Sequence, residues 1–142
     1  MRVHEVMTRE VFTMAPTTSV ADACLEMARR QIRHLLVTDA YGLLVGIVTD
    51  RDIRSNMPSP ATSLSVWEVS YLLARLTLAQ VMSPGVIVVD PHRDVREAAR
   101  IMIDHKIGAL PVLEGREIVG IVSTTDLLRA LATGVNPVAV AV

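Results

Sequence analysis

A shift of 75 residues, the distance from Met7 to Met82, lays this chain over itself. Val6-Met7-Thr8 meets Val81-Met82-Ser83, Val11 meets Val86, Pro16 meets Pro91, Val20 meets Val95 and Met27 meets Met102. Ile32, Leu35 and Val37 meet Ile107, Leu110 and Val112. The register then slips by one, because the turn Asp39-Ala40-Tyr41-Gly42 is one residue longer than its counterpart around Glu114-Gly115. Val45-Gly46-Ile47-Val48 goes on to meet Val119-Gly120-Ile121-Val122, and Asp52 meets Asp126. An insertion confined to a turn is the mark of two copies of one folding unit, so the fold must be a doubled one.

Each copy reads as β-α-β-β-α. Val11–Met14 and Val86–Val89 are short β-rich runs that end before a proline. Val20, Ala23, Cys24, Met27 and Ala28 then recur at helical spacing, as do Val95, Ala98, Ala99, Met102 and Ile103. Thr18 or Ser19 can cap the first of these helices and Asp94 the second. Two apolar runs joined by a Gly-containing turn predict a hairpin in each copy, Leu35–Thr38 with Leu43–Thr49 and Leu110–Leu113 with Ile118–Ser123. A last helix starts at Thr49 or Ser123, stopping before Pro58 in one copy and near Gly134 in the other. A lone unit of roughly 50 residues buries too little surface to be stable. The expected architecture is therefore α/β, two repeats packed sheet to sheet about an approximate two-fold axis.

The boundaries expected are repeat 1 over 1–57, a linker with an inserted helix over 58–76, repeat 2 over 77–134, and a tail over 135–142. The linker opens on Pro58-Ser59-Pro60-Ala61-Thr62-Ser63, a rigid polar connector. Leu64–Leu76 then places Val66, Val69, Leu72, Leu73 and Leu76 on one helical face, beside Trp67 and Tyr71. That face can pack on its own domain or against a second copy. Thr77-Leu78-Ala79-Gln80 has the capping-box pattern and starts a short helix.

Composition excludes several function classes. With 51% hydrophobic residues and a net charge of -1, the chain can bury a core but has no surplus charge for a nucleic-acid backbone. One Phe, one Trp and two Tyr are too few for a base-stacking platform. No run of about 18 apolar residues predicts a membrane span, and the charged start is unlike a signal peptide. The single Cys24 rules out an internal disulfide. A cytoplasmic protein is the expectation. His4, His34, His92 and His105 lack ligand spacing, and Cys24 falls on the buried stripe of its helix. There is no nucleophile–base–orienter set and no phosphate-cradling Gly-rich loop, so an enzyme is not expected.

The doubled motif is Gly46-Ile47-Val48-Thr49-Asp50-Arg51-Asp52 and Gly120-Ile121-Val122-Ser123-Thr124-Thr125-Asp126. Its hydroxyl and its Asp can simply form a helix start, the hydroxyl capping a backbone N–H and the Asp sitting at the positive end of the helix dipole. They can equally face a ligand.

The register of these motifs with Val-Met-Thr/Ser, the Ala and Met of the first helix, and His34-Leu35-Leu36-Val37 or Ala109-Leu110-Pro111-Val112 resembles tandem CBS domains, the Bateman module, over about residues 3–133. The linker resembles that of acetoin-utilisation-type CBS proteins. The resemblance implies a non-catalytic regulatory module that needs no cofactor and binds an adenine nucleotide (AMP, ADP or ATP) in clefts between the repeats. It also implies a homodimer and a regulated partner protein. The alternatives are S-adenosylmethionine, a cyclic dinucleotide, or a structural module with empty clefts.

By the same resemblance each cleft draws on both repeats. Thr8, Phe12, Ile32 and Arg33 would face Ile121, Ser123, Thr125 and Asp126. Ser83, Ile87, Ile107 and Gly108 would face Ile47, Thr49, Arg51 and Asp52. An ionised carboxylate is an acceptor only, so Asp52 and Asp126 suit the two O–H donors of a ribose diol. The hydroxyls of Thr49, Ser123 and Thr125 suit phosphate, with Arg51 or Arg33 to balance its charge. Gly108 stands where Arg33 does, so the clefts should be inequivalent, and the Ser123–Asp126 cleft is the expected phosphate binder.

Overall fold

The apolar stripes and turn signals become elements largely where their spacing places them. The computed structural model describes residues 1–58 and 63–133. The expected tail, the end of the last helix at Gly134 and most of the Pro-Ser-Pro connector lie outside those residues. The chain divides into two compact units. One is continuous, Phe12–Val86; the other is split, joining Met1–Val11 to the chain from Ile87 onward.

In the continuous unit, β1 (Thr13–Met14) leads to α2 (Val20–Arg30), a helix preceded in chain order by the single-turn α1 (Val3–Val6) of the split unit. Ser19 caps α2 by accepting from the Asp22 N–H. The hairpin β2 (His34–Thr38) and β3 (Leu44–Thr49) follows, then α3 (Asp50–Ser55), α4 (Val66–Arg75) and the short α5 (Leu78–Val81). The sheet order is β1-β2-β3, with β1 parallel to β2 and β3 antiparallel to it. The Asp39 carboxylate accepts from the Tyr41 and Leu43 N–H groups and shapes the turn, and Gly42 supplies a positive φ of 79°. Val20, Ala23 and Met27 of α2 close over Leu35, Val37 and Val48, joined by Leu78 and Val81 of α5.

The split unit repeats this plan with α6 (Val95–His105), β4 (Ala109–Glu114), β5 (Glu117–Ser123) and α7 (Thr124–Thr133). Its core is Val89, Ala98, Met102, Leu110, Val112 and Val122, and Val3 of α1 is fully buried among them. Val86–Val89, expected as a strand, is reduced to a single parallel bridge between Val89 and Val112. The Val89 N–H donates to the Pro111 carbonyl and the Leu113 N–H to the Val89 carbonyl. Pro111 has no N–H of its own with which to extend the ladder back toward Ile87. Leu36 stands at the corresponding place in the continuous unit and pairs with Thr13.

The leading segment of each sequence repeat belongs to the unit built around the other repeat. The Val3 N–H donates to the Arg93 carbonyl at 2.9 Å and the His4 N–H to Pro91 at 2.9 Å. Symmetrically, the Leu78 N–H donates to Thr18 at 2.9 Å and the Ala79 N–H to Pro16 at 3.0 Å. The inserted helix α4 packs Leu73, and the following Leu76, on the core of the continuous unit, while Val66, Trp67 and Tyr71 stay exposed.

Candidate functional site

Thr8 and Ser83 follow the leading helices α1 and α5, and each reaches a Gly-Ile-Val strand. Thr8 bridges Ile121 antiparallel, with N–H to carbonyl distances of 2.8 and 2.9 Å, and Ser83 bridges Ile47 at 3.0 and 3.2 Å. The glycine of each motif makes room for this approach. A Cβ on Gly120 would lie 2.7 Å from the Met7 sulfur and 2.8 Å from the Thr8 carbonyl oxygen. A Cβ on Gly46 would strike the Met82 sulfur.

Both hydroxyl–Asp pairs form helix-start boxes. The Asp52 N–H donates to Thr49 Oγ1 at 3.1 Å, and the Thr49 N–H returns to Asp52 Oδ2 at 2.9 Å. In the split unit the Asp126 N–H donates to Ser123 Oγ at 3.2 Å, and the Ser123 N–H to Asp126 Oδ2 at 2.9 Å.

Beyond that shared box the two pairs diverge. Asp126 is 5% exposed. Its Oδ2 also accepts from Ser123 Oγ at 3.0 Å, and its Oδ1 accepts from Thr8 Oγ1 at 3.2 Å and from Arg129 Nη1 at 3.3 Å. Asp52 is half-buried, and its Oδ1 has no hydrogen-bond partner among the described residues. Ser55 occupies the place in α3 that Arg129 takes in α7. Arg129 is the residue that sequence reasoning missed. Its signal was the i,i+3 spacing from Asp126 on one helix face, where opposite charges meet.

The remaining expected site residues fall into one unit or the other. Phe12, Ile32, Arg33, Ile47, Thr49, Arg51, Asp52 and Ser83 are in the continuous unit, and Thr8, Ile87, Ile107, Gly108, Ile121, Ser123, Thr125 and Asp126 in the split one. The Gly108 carbonyl accepts from the backbone N–H and the hydroxyl of Thr124, at 2.9 and 3.0 Å. Ile87 and Ile107 pack on the core of their unit. Thr125 is exposed. Phe12 carries the Arg30 guanidinium 3.9 Å above its ring centre. Ile32 and Arg33 line a cavity of about 450 Å³ with Cys24, Met27 and Arg54, and burial pushes the Cys24 thiol pKa upward. Arg33 and Arg51 are exposed and form no ion pair among the described residues. No group of three His, Cys, Asp or Glu side chains there could hold a metal ion, and no described helix is long and apolar enough to cross a membrane.

Comparison with known proteins agrees with this architecture. The family model for the CBS domain matches residues 3–59 and again 78–133. The uncharacterized protein MJ1404 of Methanocaldococcus jannaschii is 30% identical over 134 residues, 92% of this chain, which spans only 32% of that relative. A Vibrio cholerae protein assigned to acetoin utilization (AcuB) superposes with a TM-score of 0.74 at 33% identity, covering 92% of this chain and 90% of its own. The CBS domain pair of protein MJ0100, solved in complex with 5′-methylthioadenosine and S-adenosyl-L-methionine, gives a TM-score of 0.76 at 25% identity, covering 92% of this chain and 95% of its own. With two matches that together take in most of its length, the chain belongs to the CBS-domain family and carries the domain twice.

Proposed function

We propose that this chain is a non-catalytic regulatory module that binds an adenosine-containing ligand at its hydroxyl–Asp motifs and signals occupancy to a partner protein in the cytoplasm. The observation that carries this reading is the Asp52 carboxylate. One oxygen is fixed by the Thr49 N–H, and the other is left as an acceptor. A ribose diol presents O–H donors, and hydrogen bonds to an ionised acceptor are the stronger kind. Adenosyl chemistry is supported by the MJ0100 pair, whose structure contains two such ligands. AMP, ADP and ATP share that nucleoside, and Arg51 and Arg33 of the same unit, without an ion pair among the described residues, offer charge to a phosphate. No resident cofactor enters this reading.

The test is a thermal-shift panel of AMP, ADP, ATP, S-adenosylmethionine and 5′-methylthioadenosine, followed by calorimetry. At a concentration of 100 Kd a ligand should stabilise the chain by about 2.7 kcal/mol. Asp52→Ala should remove its motif's contribution to that shift while leaving the free protein folded. Failure of every ligand at millimolar concentration would refute the reading.

One observation favours a second role, self-association. Val66, Trp67 and Tyr71 of α4 are 79%, 85% and 56% exposed on an element whose other side packs on the core. A homodimer would cover them. Sedimentation should then show a dimer that Trp67→Glu converts to monomer; a native chain that sediments as a monomer excludes it.

A further inference from the structure

We infer that Arg129 keeps the Asp126 motif closed, so that the chain takes one adenosyl ligand, at Asp52, rather than two. This rests on the proposed reading of the motifs and concerns which of them works. A carboxylate offers about four lone-pair directions. At Asp126 four donors already use them: the Ser123 N–H and Oγ, Thr8 Oγ1 and Arg129 Nη1, all between 2.9 and 3.3 Å. A ribose hydroxyl could bind there only by displacing one of these from a carboxylate that is 5% exposed. The guanidinium is a charged donor, and a charge-assisted hydrogen bond is harder for a ribose hydroxyl to displace than a neutral one.

Of these four donors the other motif keeps, among the described residues, only the backbone one, the Thr49 N–H on Asp52 Oδ2. Ser55 replaces Arg129 and is too short and uncharged to play its part. Ser83, the counterpart of Thr8, makes backbone bonds to Ile47 but no side-chain bond to Asp52 among the described residues. One short box is thus open and the other filled, although the two are built alike.

Calorimetry of the full chain with S-adenosylmethionine, AMP and 5′-methylthioadenosine tests this through stoichiometry. The native chain should bind one equivalent and Asp52→Asn none. Arg129→Ser, which copies the first repeat, should bind two. The reciprocal change Ser55→Arg should weaken native binding at least about tenfold, the scale of a lost charge-assisted hydrogen bond; it stays informative if Arg129→Ser unfolds the split unit. Two equivalents on the native chain, one on folded Arg129→Ser, or unchanged affinity in Ser55→Arg each overturn the closure. No binding by any variant overturns the adenosyl reading itself and the closure with it.

Discussion

Gly46 and Gly120 hold equivalent places in the two repeats, yet they should not be equally replaceable. An added methyl at Gly46 meets the end of the Met82 side chain, which is flexible and can swing aside. At Gly120 it also meets the Thr8 carbonyl at 2.8 Å, and backbone cannot move without breaking the bridge to Ile121. Gly120→Ala should therefore cost about 1–3 kcal/mol, the usual range for overpacking, and Gly46→Ala clearly less, as urea denaturation would show. The sequence displayed both glycines and both hydroxyl–Asp pairs, because motifs repeat as letters. It did not display that Asp126 is saturated and Asp52 is not. That difference depends on where Thr8 and Arg129 end up, and Thr8 is far from Asp126 along the chain.

The helices were the most legible elements, since stripes and caps are local. The caps also separate two physical terms. Ser19 accepts from the Asp22 N–H and is uncharged, so Ser19→Ala should cost about 1 kcal/mol at any pH. Asp94 caps α6, and the hydrogen bonds from the Arg96 backbone N–H, then its side chain, hold the carboxyl below its usual pKa. A group whose folded pKa is lowered contributes stability above its unfolded value and loses it as pH falls through the folded one. The melting-temperature gap between native protein and Asp94→Asn should thus be full at neutral pH and close in acid, whereas the Ser19→Ala gap should persist. At the other ends of α2 and α6, Gln31 and Lys106 adopt φ of 54° and 55°, a left-handed conformation that favours glycine. Gln31→Gly or Lys106→Gly should stabilise by about 1 kcal/mol each, visible as a higher Tm. Sequence periodicity missed these strained caps because both residues are ordinary helix formers. It also overextended Val86–Val89, whose pairing ends at a proline on the neighbouring strand.

Across the whole molecule, repeat and compact unit do not coincide. Each repeat lends its leading turn to the other's core, and no local pattern encodes such an exchange. Its consequence can be measured on the native chain: Val3 is fully buried with Val112 and Val122, so Val3→Ala should cost about 2 kcal/mol, a core-truncation value, and loosen the split unit. Hydrogen exchange should show protection lost in α6 and β4 and kept in α2 and β2.

The same exchange sets a timetable for synthesis. The continuous unit is complete once Val86 has left the ribosome, and it can fold while the rest is still being made. Residues 1–11 emerge before that unit but find their partners after it, when β5 and α7 appear. Met1–Val11 therefore waits through the making of the whole continuous unit for its place, and it is the segment a chaperone or protease would meet.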